Sequence, residues 1–339
     1  FGWDGRFPAP GWKSEFGWAG LLPAAENPVL IDPPTEEIVT ANSFLPVALP
    51  AWFQGEFDTP FRADRVRERL ATKNDWTPAQ LAGLQGDATS LWAKWLVPRL
   101  AGDHAGDAAR AWVALQGWDG EMGERGAPAL FALLERHLQQ AVFEDEAKGA
   151  NLARFGTRWR LIRLFEGEMS ADWFDDVATP AKESRATTVE AALAAAWQEG
   201  SKRWGSDVAQ WPYSGIHNLK LDHTLGSAPL VGRFFSRGPF PLGGSSTTVM
   251  AFGGPWVGDE MEVEYGASMR LVNDLGDPDR GISILPGGQS GHPWDPHYAD
   301  QLPLYLRRET RPVPWTDGAI EKATNSKLQL VPGVQGEAR

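Results

Sequence analysis

Residues 265–301 read YGASMRLVNDLGDPDRGISILPGGQSGHPWDPHYADQ. Two short apolar runs, SMRLVND (268–274) and GISILP (281–286), alternate with dense Gly, Pro, Asn and Asp. Gly supplies positive φ, Pro fixes φ, and Asn and Asp hydrogen-bond their own backbone, so these residues favour turns. The stretch therefore predicts short strands joined by tight turns, with MEVEY (261–265) as a further strand.

The region upstream of these strands changes to a helical pattern. Thr77-Pro78-Ala79-Gln80 predicts a helix start, because Thr can cap the helix, Pro suits its first position and Gln can complete a capping box. The Ala-rich run VEAALAAAWQ, preceded by Ser184, also favours helix strongly. Together these patterns predict a contiguous helical region with helices at 61–72, from 77, at 88–101, 106–117, 127–148, 150–165 and 182–204.

The domain organisation follows from these changes of pattern. Residues 1–60 predict loops and strands, with a β segment at 36–42. Residues 61–207 form the helical region, and 208–339 are C-terminal strands, with a final strand or helix and a tail at 302–331. We expect these parts to form one domain together with a segment upstream of this chain.

The composition excludes several classes of protein. The net charge of −12 argues against nucleic-acid binding, which needs clustered Lys and Arg. No apolar run reaches the roughly 18 residues of a membrane span. The chain has no Cys, which removes disulfides, thiol catalysis and Cys-based zinc sites. Its 17 Trp predict large core residues, and a few of them could line a pocket for an apolar acyl group.

The C-terminal motifs resemble those of a known enzyme family. RFFSRGP (233–239) with Gly243-Gly244, GASMR (266–270), GQSGHP (288–293) and PHYADQ (296–301) resemble the signature of the penicillin acylase family of N-terminal-nucleophile hydrolases. The resemblance implies an α+β fold, the four-layer αββα sandwich, here partial and with a helical insertion. We expect these motifs to be structural, with the side chains of Ser268, Arg270 and Gln289 holding strands in place.

Asn42 is the residue to which the resemblance assigns chemistry. IVTAN (38–42) resembles the family element whose Asn donates its side-chain amide to the oxyanion that forms during attack on the carbonyl. A neutral donor aimed at developing negative charge lowers the barrier without a change of protonation. The sequence departs from the family at Ser43, where a second Asn is usual. Without the resemblance, an Asn that ends a strand is a turn residue.

Arg65 is the second residue that the resemblance singles out. FRADRV (61–66) resembles the family segment whose Arg lies near the oxyanion Asn, so the resemblance implies that Arg65 orients Asn42. The alternative is an exposed helix Arg paired with Asp64 or Glu68.

The nucleophile implied by the resemblance is a Ser that becomes the first residue of the large subunit after self-cleavage, whereas residue 1 is Phe. We therefore expect the nucleophile upstream and this chain to be inactive alone. The expected partners are a small subunit, the upstream part of the large subunit and a small N-acyl substrate. The resemblance implies a periplasmic or secreted protein. The resemblance thus implies hydrolysis of a linear amide bond, and the alternative is a non-catalytic, small-molecule-binding member of the family that has lost its nucleophile.

Other catalytic patterns fit the sequence less well. A nucleophile elbow needs Gly-x-Ser-x-Gly, and GQSGH (288–292) has His292 in place of the last Gly. His292, Asp295 and His297 lie within six residues but on a Pro-broken loop, which is a weak metal pattern. No cofactor is expected for catalysis. The resemblance leaves structural calcium open, with Glu56 and Asp58 only in a plausible neighbourhood.

Overall fold

A computed structural model describes residues 8–17, 20–44, 49, 53, 57–147, 156–226, 228 and 232–331, apart from the side chain of Arg233. The chain divides into two compact units. The first comprises Phe1–Thr72, Ala88–Lys220 and Gly238–Tyr265, and the second comprises Lys73–Asp87, Leu221–Arg237 and Gly266–Arg339. One predicted helix of the central region, the one after Thr77, belongs to the second unit. The division into 1–60, 61–207 and 208–339 stays a prediction.

The described residues form ten α-helices, of which the first seven correspond to those predicted in the central region and the last three lie in the C-terminal part, where strands and a final strand or helix were expected. They are α1 (Phe61–Leu70), α2 (Pro78–Gln85), α3 (Leu91–Arg99), α4 (Gly106–Gln116), α5 (Ala127–Ala147), α6 (Thr157–Phe165), α7 (Arg185–Trp204), α8 (Gly232–Phe235), α9 (Leu302–Leu306) and α10 (Asp317–Ala323).

Capping residues explain where several of these helices begin. Thr77 and Gln80 form the predicted capping box at α2, with Pro78 in the first turn. Ser184 and Thr187 form a second box at α7. The Ser90 side chain accepts from the Ala93 backbone, so α3 begins three residues later than the pattern predicted. Each cap satisfies a backbone donor that the helix leaves unpaired.

The core of the first unit lies where α5 packs on α7. Fully buried apolar side chains of α5, among them Leu130, Leu134 and Leu138, face a set on α7 that includes Leu193 and Ala196. Burying each large aliphatic side chain contributes about 1.5–3 kcal/mol before the entropy cost. The long apolar face of α5 therefore holds the surrounding helices.

A buried carboxylate crosses this core. Glu135 on α5 is 8% exposed and accepts hydrogen bonds from Trp92 Nε1 on α3 (3.1 Å), Gln139 Nε2 (3.2 Å) and Arg158 Nε on α6 (2.5 Å). A buried charge is costly unless it is paired and hydrogen-bonded. Glu135 meets both conditions and joins three helices.

The strands are short, as the sequence predicted. They are β1 (His217–Leu221), β2 (Arg237–Pro241), β3 (Phe252–Gly253), β4 (Trp256–Val257), β5 (Glu260–Val263), β6 (Tyr265–Gly266), β7 (Arg270–Val272), β8 (Ile282–Ile284) and β9 (Arg311–Pro312).

These strands form small sheets. The order is β2-β1-β5-β4 in one sheet, β3-β6 in another and β7-β8-β9 in a third. β1 pairs with β5 in parallel, whereas β7, β8 and β9 pair antiparallel. Arg270 of β7 is 5% exposed, lies over the Tyr305 ring at 4.2 Å and donates to the Tyr305 carbonyl (3.2 Å), so it fastens α9 to its strand. Ser268 and Gln289, which were expected to act similarly, are exposed.

Two predicted elements differ from the structure. Residues 36–42 show no strand pairing within the described chain, because a strand needs a hydrogen-bonding neighbour and Glu36 and Asn42 both adopt positive φ (56° and 60°). The helix predicted at 150–165 is seen from Thr157 to Phe165, and residues 148–155 lie outside the described residues.

Gly200 gives a test of packing in α7. A Cβ atom at Gly200 would overlap the six-membered ring of Trp211, which is itself fully buried. We expect Gly200→Ala to lower the free energy of unfolding by about 1–3 kcal/mol through overpacking. The measurement is the thermal unfolding midpoint of the complete purified protein.

The control for this prediction is Gly83→Ala in α2, where an added Cβ meets nothing within 4 Å. It should be neutral or stabilising by up to about 1 kcal/mol, because Ala favours helix over Gly. Equal effects of the two substitutions would contradict the packing argument.

Candidate active site

Asn42 lies at a sharp bend of the first unit. Its φ is 60°, in the left-handed region that Asn tolerates better than most residues. Its carbonyl oxygen accepts from the Asp58 backbone N–H at 2.7 Å, which joins the bend to the segment leading into α1. The Asn42 side chain is exposed, while that of the following Ser43 is buried. The amide is therefore held at an open surface.

Arg62, in the first turn of α1, holds this amide. Its Nη2 donates to Asn42 Oδ1 and to Asp58 Oδ2, both at 2.9 Å. The other carboxylate oxygen, Asp58 Oδ1, accepts from the Thr59 backbone N–H at 2.7 Å. A guanidinium only donates, so the amide oxygen of Asn42 must face Arg62. The amide nitrogen and its two hydrogens consequently face away from Arg62.

Arg65 makes different contacts. Its side chain is 11% exposed, Nη1 forms an ion pair with Glu68 (3.0 Å), and Nη2 donates to Thr89 Oγ1 (3.1 Å). Pairing with Glu68 was part of the alternative that the sequence offered, but Arg65 is buried rather than exposed, and Asp64 pairs with Arg67 (2.9 Å). An orienting role for Arg65 stays a prediction, whereas Arg62 contacts Asn42 directly.

No pattern in the sequence singled out Arg62. The one signal that could have found it is the spacing of Asp58 and Arg62, four residues apart, because that spacing brings opposite charges together at a helix start.

Aromatic rings flank the Asn42 bend. Phe44 and Phe57 stack with centroids 4.1 Å apart, and Phe53 stacks on Phe57 at 6.4 Å. The Phe57 carbonyl accepts from Trp159 Nε1 of α6 at 2.9 Å, which fixes this backbone from the helical side. Phe44 is 58% exposed. An apolar surface thus begins two residues from the amide.

The side chains of the His292–His297 loop, in the second unit, make local contacts. His297 Nδ1 contacts Asp300 Oδ2 at 2.9 Å, Asp295 Oδ1 accepts from the His297 backbone, and His292 packs on Trp294. The Asp300 carboxylate raises the pKa of His297. In the part of the chain that the structure describes, no three His, Asp or Glu side chains are arranged to hold a metal ion.

The surroundings of the Asp58 carboxylate are unfavourable for binding calcium. Both of its carboxylate oxygens already accept hydrogen bonds, and the Arg62 guanidinium places a positive charge where a cation would need negative charge. Glu56 lies outside the described residues.

His104 and His137 each have a hydrogen-bond partner within the helical region. His104 lies before α4, with Nε2 2.8 Å from the Leu100 carbonyl oxygen. His137 on α5 contacts Glu199 Oε2 at 2.7 Å. Burial lowers the pKa of His137, although the Glu199 carboxylate acts in the opposite direction.

His217, at the start of β1, is fully buried. Its Nδ1 lies 3.1 Å from the Leu242 carbonyl oxygen, and its ring stacks on Tyr213 at 4.6 Å. Burial lowers the pKa of His217 below its ordinary value of 6.5, because the apolar surroundings disfavour the charged imidazolium.

Comparison with known proteins identifies the family. The family model described as penicillin amidase matches residues 2–322. The chain belongs to the penicillin amidase family. The resemblance read from the C-terminal motifs is thereby confirmed.

Relatives in this family include acylases with different named substrates. The chain is 27% identical over 363 residues to the acyl-homoserine lactone acylase QuiP of Pseudomonas syringae pv. syringae (strain B728a), covering 97% of this chain and 43% of that protein. It is 29% identical over 342 residues to the penicillin acylase 2 proenzyme of Pseudomonas sp. (strain SE83), covering 94% of this chain and 40% of that protein. The chain thus spans less than half the length of these relatives.

A solved penicillin amidase family structure shares the fold. The thermostable penicillin G acylase from Alcaligenes faecalis superposes with a TM-score of 0.56 at 16% identity, over 90% of this chain and 58% of that chain. This likeness confirms the predicted α+β N-terminal-nucleophile hydrolase fold. None of the helices in the described residues is both long enough and apolar enough to cross a bilayer.

His217 predicts how stability depends on pH. Its folded pKa lies below its unfolded pKa, so the unfolded state takes up a proton that the folded state refuses. We expect the thermal midpoint to fall as the pH is lowered through about 6.5, with His137 acting in the same direction. His217→Phe, which can keep the stack on Tyr213, should flatten this dependence.

The control is Leu219→Ala, a buried position of the same strand without a titrating group. It should lower the midpoint by a similar amount at every pH. An unchanged pH slope in His217→Phe would contradict the assignment.

Proposed function

We propose that this chain is part of an amidohydrolase that cleaves the linear amide of an N-acyl compound, with Asn42 as oxyanion donor. The observation that carries the proposal is the hydrogen bond from Arg62 to Asn42 Oδ1, which leaves the amide N–H groups facing an exposed surface. Membership of the penicillin amidase family supports the reaction class.

The nucleophile in this proposal is a Ser at the start of the large subunit, upstream of this chain. Its free α-amine, with a pKa of about 8, takes the hydroxyl proton at neutral pH. Ser Oγ bonds to the carbonyl carbon, and the oxygen becomes an oxyanion that accepts a hydrogen bond from Asn42 Nδ2. The C–N bond then breaks, the proton passes to the leaving amine, and water hydrolyses the acyl-enzyme.

The substrate is proposed to carry an apolar acyl group. The Phe44–Phe57 stack offers an apolar surface beside Asn42, which suits an aromatic ring or an alkyl chain better than a polar group. The names of the relatives favour two classes, acyl-homoserine lactones and penicillins.

The proposed partners are a small subunit and the upstream part of the large subunit. Several apolar side chains of residues 20–44 are exposed in this chain, including Leu21 (101%), Ile31 (76%) and Ile38 (60%). Exposed apolar surface of this kind suits burial against another segment. A periplasmic or secreted location and structural calcium stay predictions.

The experiment that tests the function combines N-terminal sequencing, intact mass and an amidase assay on the native protein. We expect a large chain beginning with Ser, a second smaller chain, and release of free amine from an acyl-homoserine lactone or an aromatic N-acyl β-lactam. A continuous chain without amidase activity would favour the non-catalytic binding protein. A native chain that begins at Phe1 and still hydrolyses amides would contradict the nucleophile assignment.

Substitution of Asn42 tests the oxyanion role. In the complete enzyme, Asn42→Ala should lower kcat by about 10²–10³-fold, because the donor acts on charge that develops in the transition state. Maturation to two chains should remain possible. Steady-state kinetics with free-amine detection gives the measurement.

Two further variants separate chemistry from backbone effects. Asn42→Gly also removes the donor but accepts the positive φ, so it should lose activity to a similar extent. Asn74→Ala, an exposed Asn of the second unit, should keep parental turnover. Parental turnover in both Asn42 variants would remove the oxyanion assignment.

A further inference from the structure

Asn42, Asp58 and Arg62 form a closed ring of contacts. The Asp58 N–H donates to the Asn42 carbonyl (2.7 Å), Arg62 Nη2 donates to the Asp58 carboxylate (2.9 Å), and the same nitrogen donates to the Asn42 amide oxygen (2.9 Å). Both the main chain and the side chain of Asn42 are thereby tied to one short segment. A turn residue would need only the backbone contact.

We propose that Arg62 and Asp58 are a positioning pair that fixes which face of the Asn42 amide meets the substrate. The inference rests on the proposed oxyanion role of Asn42. It assigns a function to two residues outside the reacting atoms, since neither would touch the carbonyl under attack.

The need for such a pair follows from the amide itself. The terminal torsion of Asn is broad and roughly two-fold, so an exposed amide can present either its oxygen or its nitrogen. The oxygen-out orientation would place a partial negative charge against the oxyanion. A charged donor on Oδ1 selects the nitrogen-out orientation, and charge-assisted hydrogen bonds are stronger than neutral ones.

Asp58 has a separate part in this arrangement. The Arg62 side chain is 17% exposed and Asp58 is 39% exposed, so the ion pair lies partly under the surface. Asp58 Oδ1 is held by the buried Thr59 backbone, while Oδ2 holds Arg62. The carboxylate both aims the guanidinium at Asn42 and offsets its charge, which lowers its attraction for a substrate anion.

The test is a double-mutant cycle in the complete enzyme with Asn42→Ala, Arg62→Gln and the double variant. Arg62→Gln should lower kcat by about 10–100-fold, the effect of losing one charge-assisted hydrogen bond, and leave KM nearly unchanged. In the Asn42→Ala background the same substitution should cost less than about twofold, because the group it positions is gone. A purely structural role would cost the same in both backgrounds.

Further variants keep the test decisive. Asp58→Asn retains the shape but removes the charge, and it should lower kcat less than Arg62→Gln and only while Asn42 is present. If Arg62→Gln does not fold, Asp58→Asn takes its place in the double-mutant cycle. Arg67→Gln, on the same helix and paired with Asp64, is the control and should keep parental kcat.

The outcomes separate this inference from the proposed function. Loss of turnover in Asn42→Ala with no loss in Arg62→Gln would overturn the positioning pair and leave the oxyanion role standing. Equal losses from Arg62→Gln in the two backgrounds would also overturn the pair. Full turnover in Asn42→Ala would overturn the oxyanion role and the pair together.

Discussion

The buried carboxylate of Glu135 is the interaction on which the first unit depends. It binds Trp92 of α3 and Arg158 of α6 from its place on α5, so three helices share one charge. Trp159, the neighbour of Arg158 in the sequence, donates to the Phe57 carbonyl. Phe57 directly precedes Asp58. A chain of contacts therefore runs from the centre of the helical core to the Asn42 bend. The helical region acts as the rigid support of a surface loop.

This arrangement gives the large helical region a part in the proposed function. An exposed donor works best when its position does not fluctuate, and a loop alone offers little restraint. Here the loop is tied to α1 by Arg62 and to α6 by Trp159. Phe57, whose carbonyl Trp159 binds, also stacks on Phe44, so the apolar surface and the proposed donor lie on segments that the helices anchor.

The sequence predicted the elements whose determinants are local. The capping box at Thr77 and the Ala-rich run of α7 specify helices without reference to the rest of the chain. The strands at 268–274 and 281–286 were also predicted, because turn residues bound them on both sides. The family motifs singled out Asn42, whose oxyanion role stays a proposal, and their prediction of the fold is confirmed by the structural likeness to penicillin G acylase. In contrast, the contact of Arg62 depends on a positive φ at Asn42 and on the path from Asp58 into α1, neither of which a pattern encodes. The strand predicted at 36–42 failed for a related reason, since pairing depends on a neighbour.

The left-handed backbone of Asn42 has an evolutionary consequence. Few residue types adopt this conformation without strain, and Asn is among them. Other side chains with donor groups, such as Gln, Ser or Lys, are disfavoured by the bend before their chemistry is considered. Gly and Asp fit the bend, but neither supplies a neutral side-chain donor. Under the proposed oxyanion role, folding and turnover would both favour Asn at this position, which would leave it few neutral replacements.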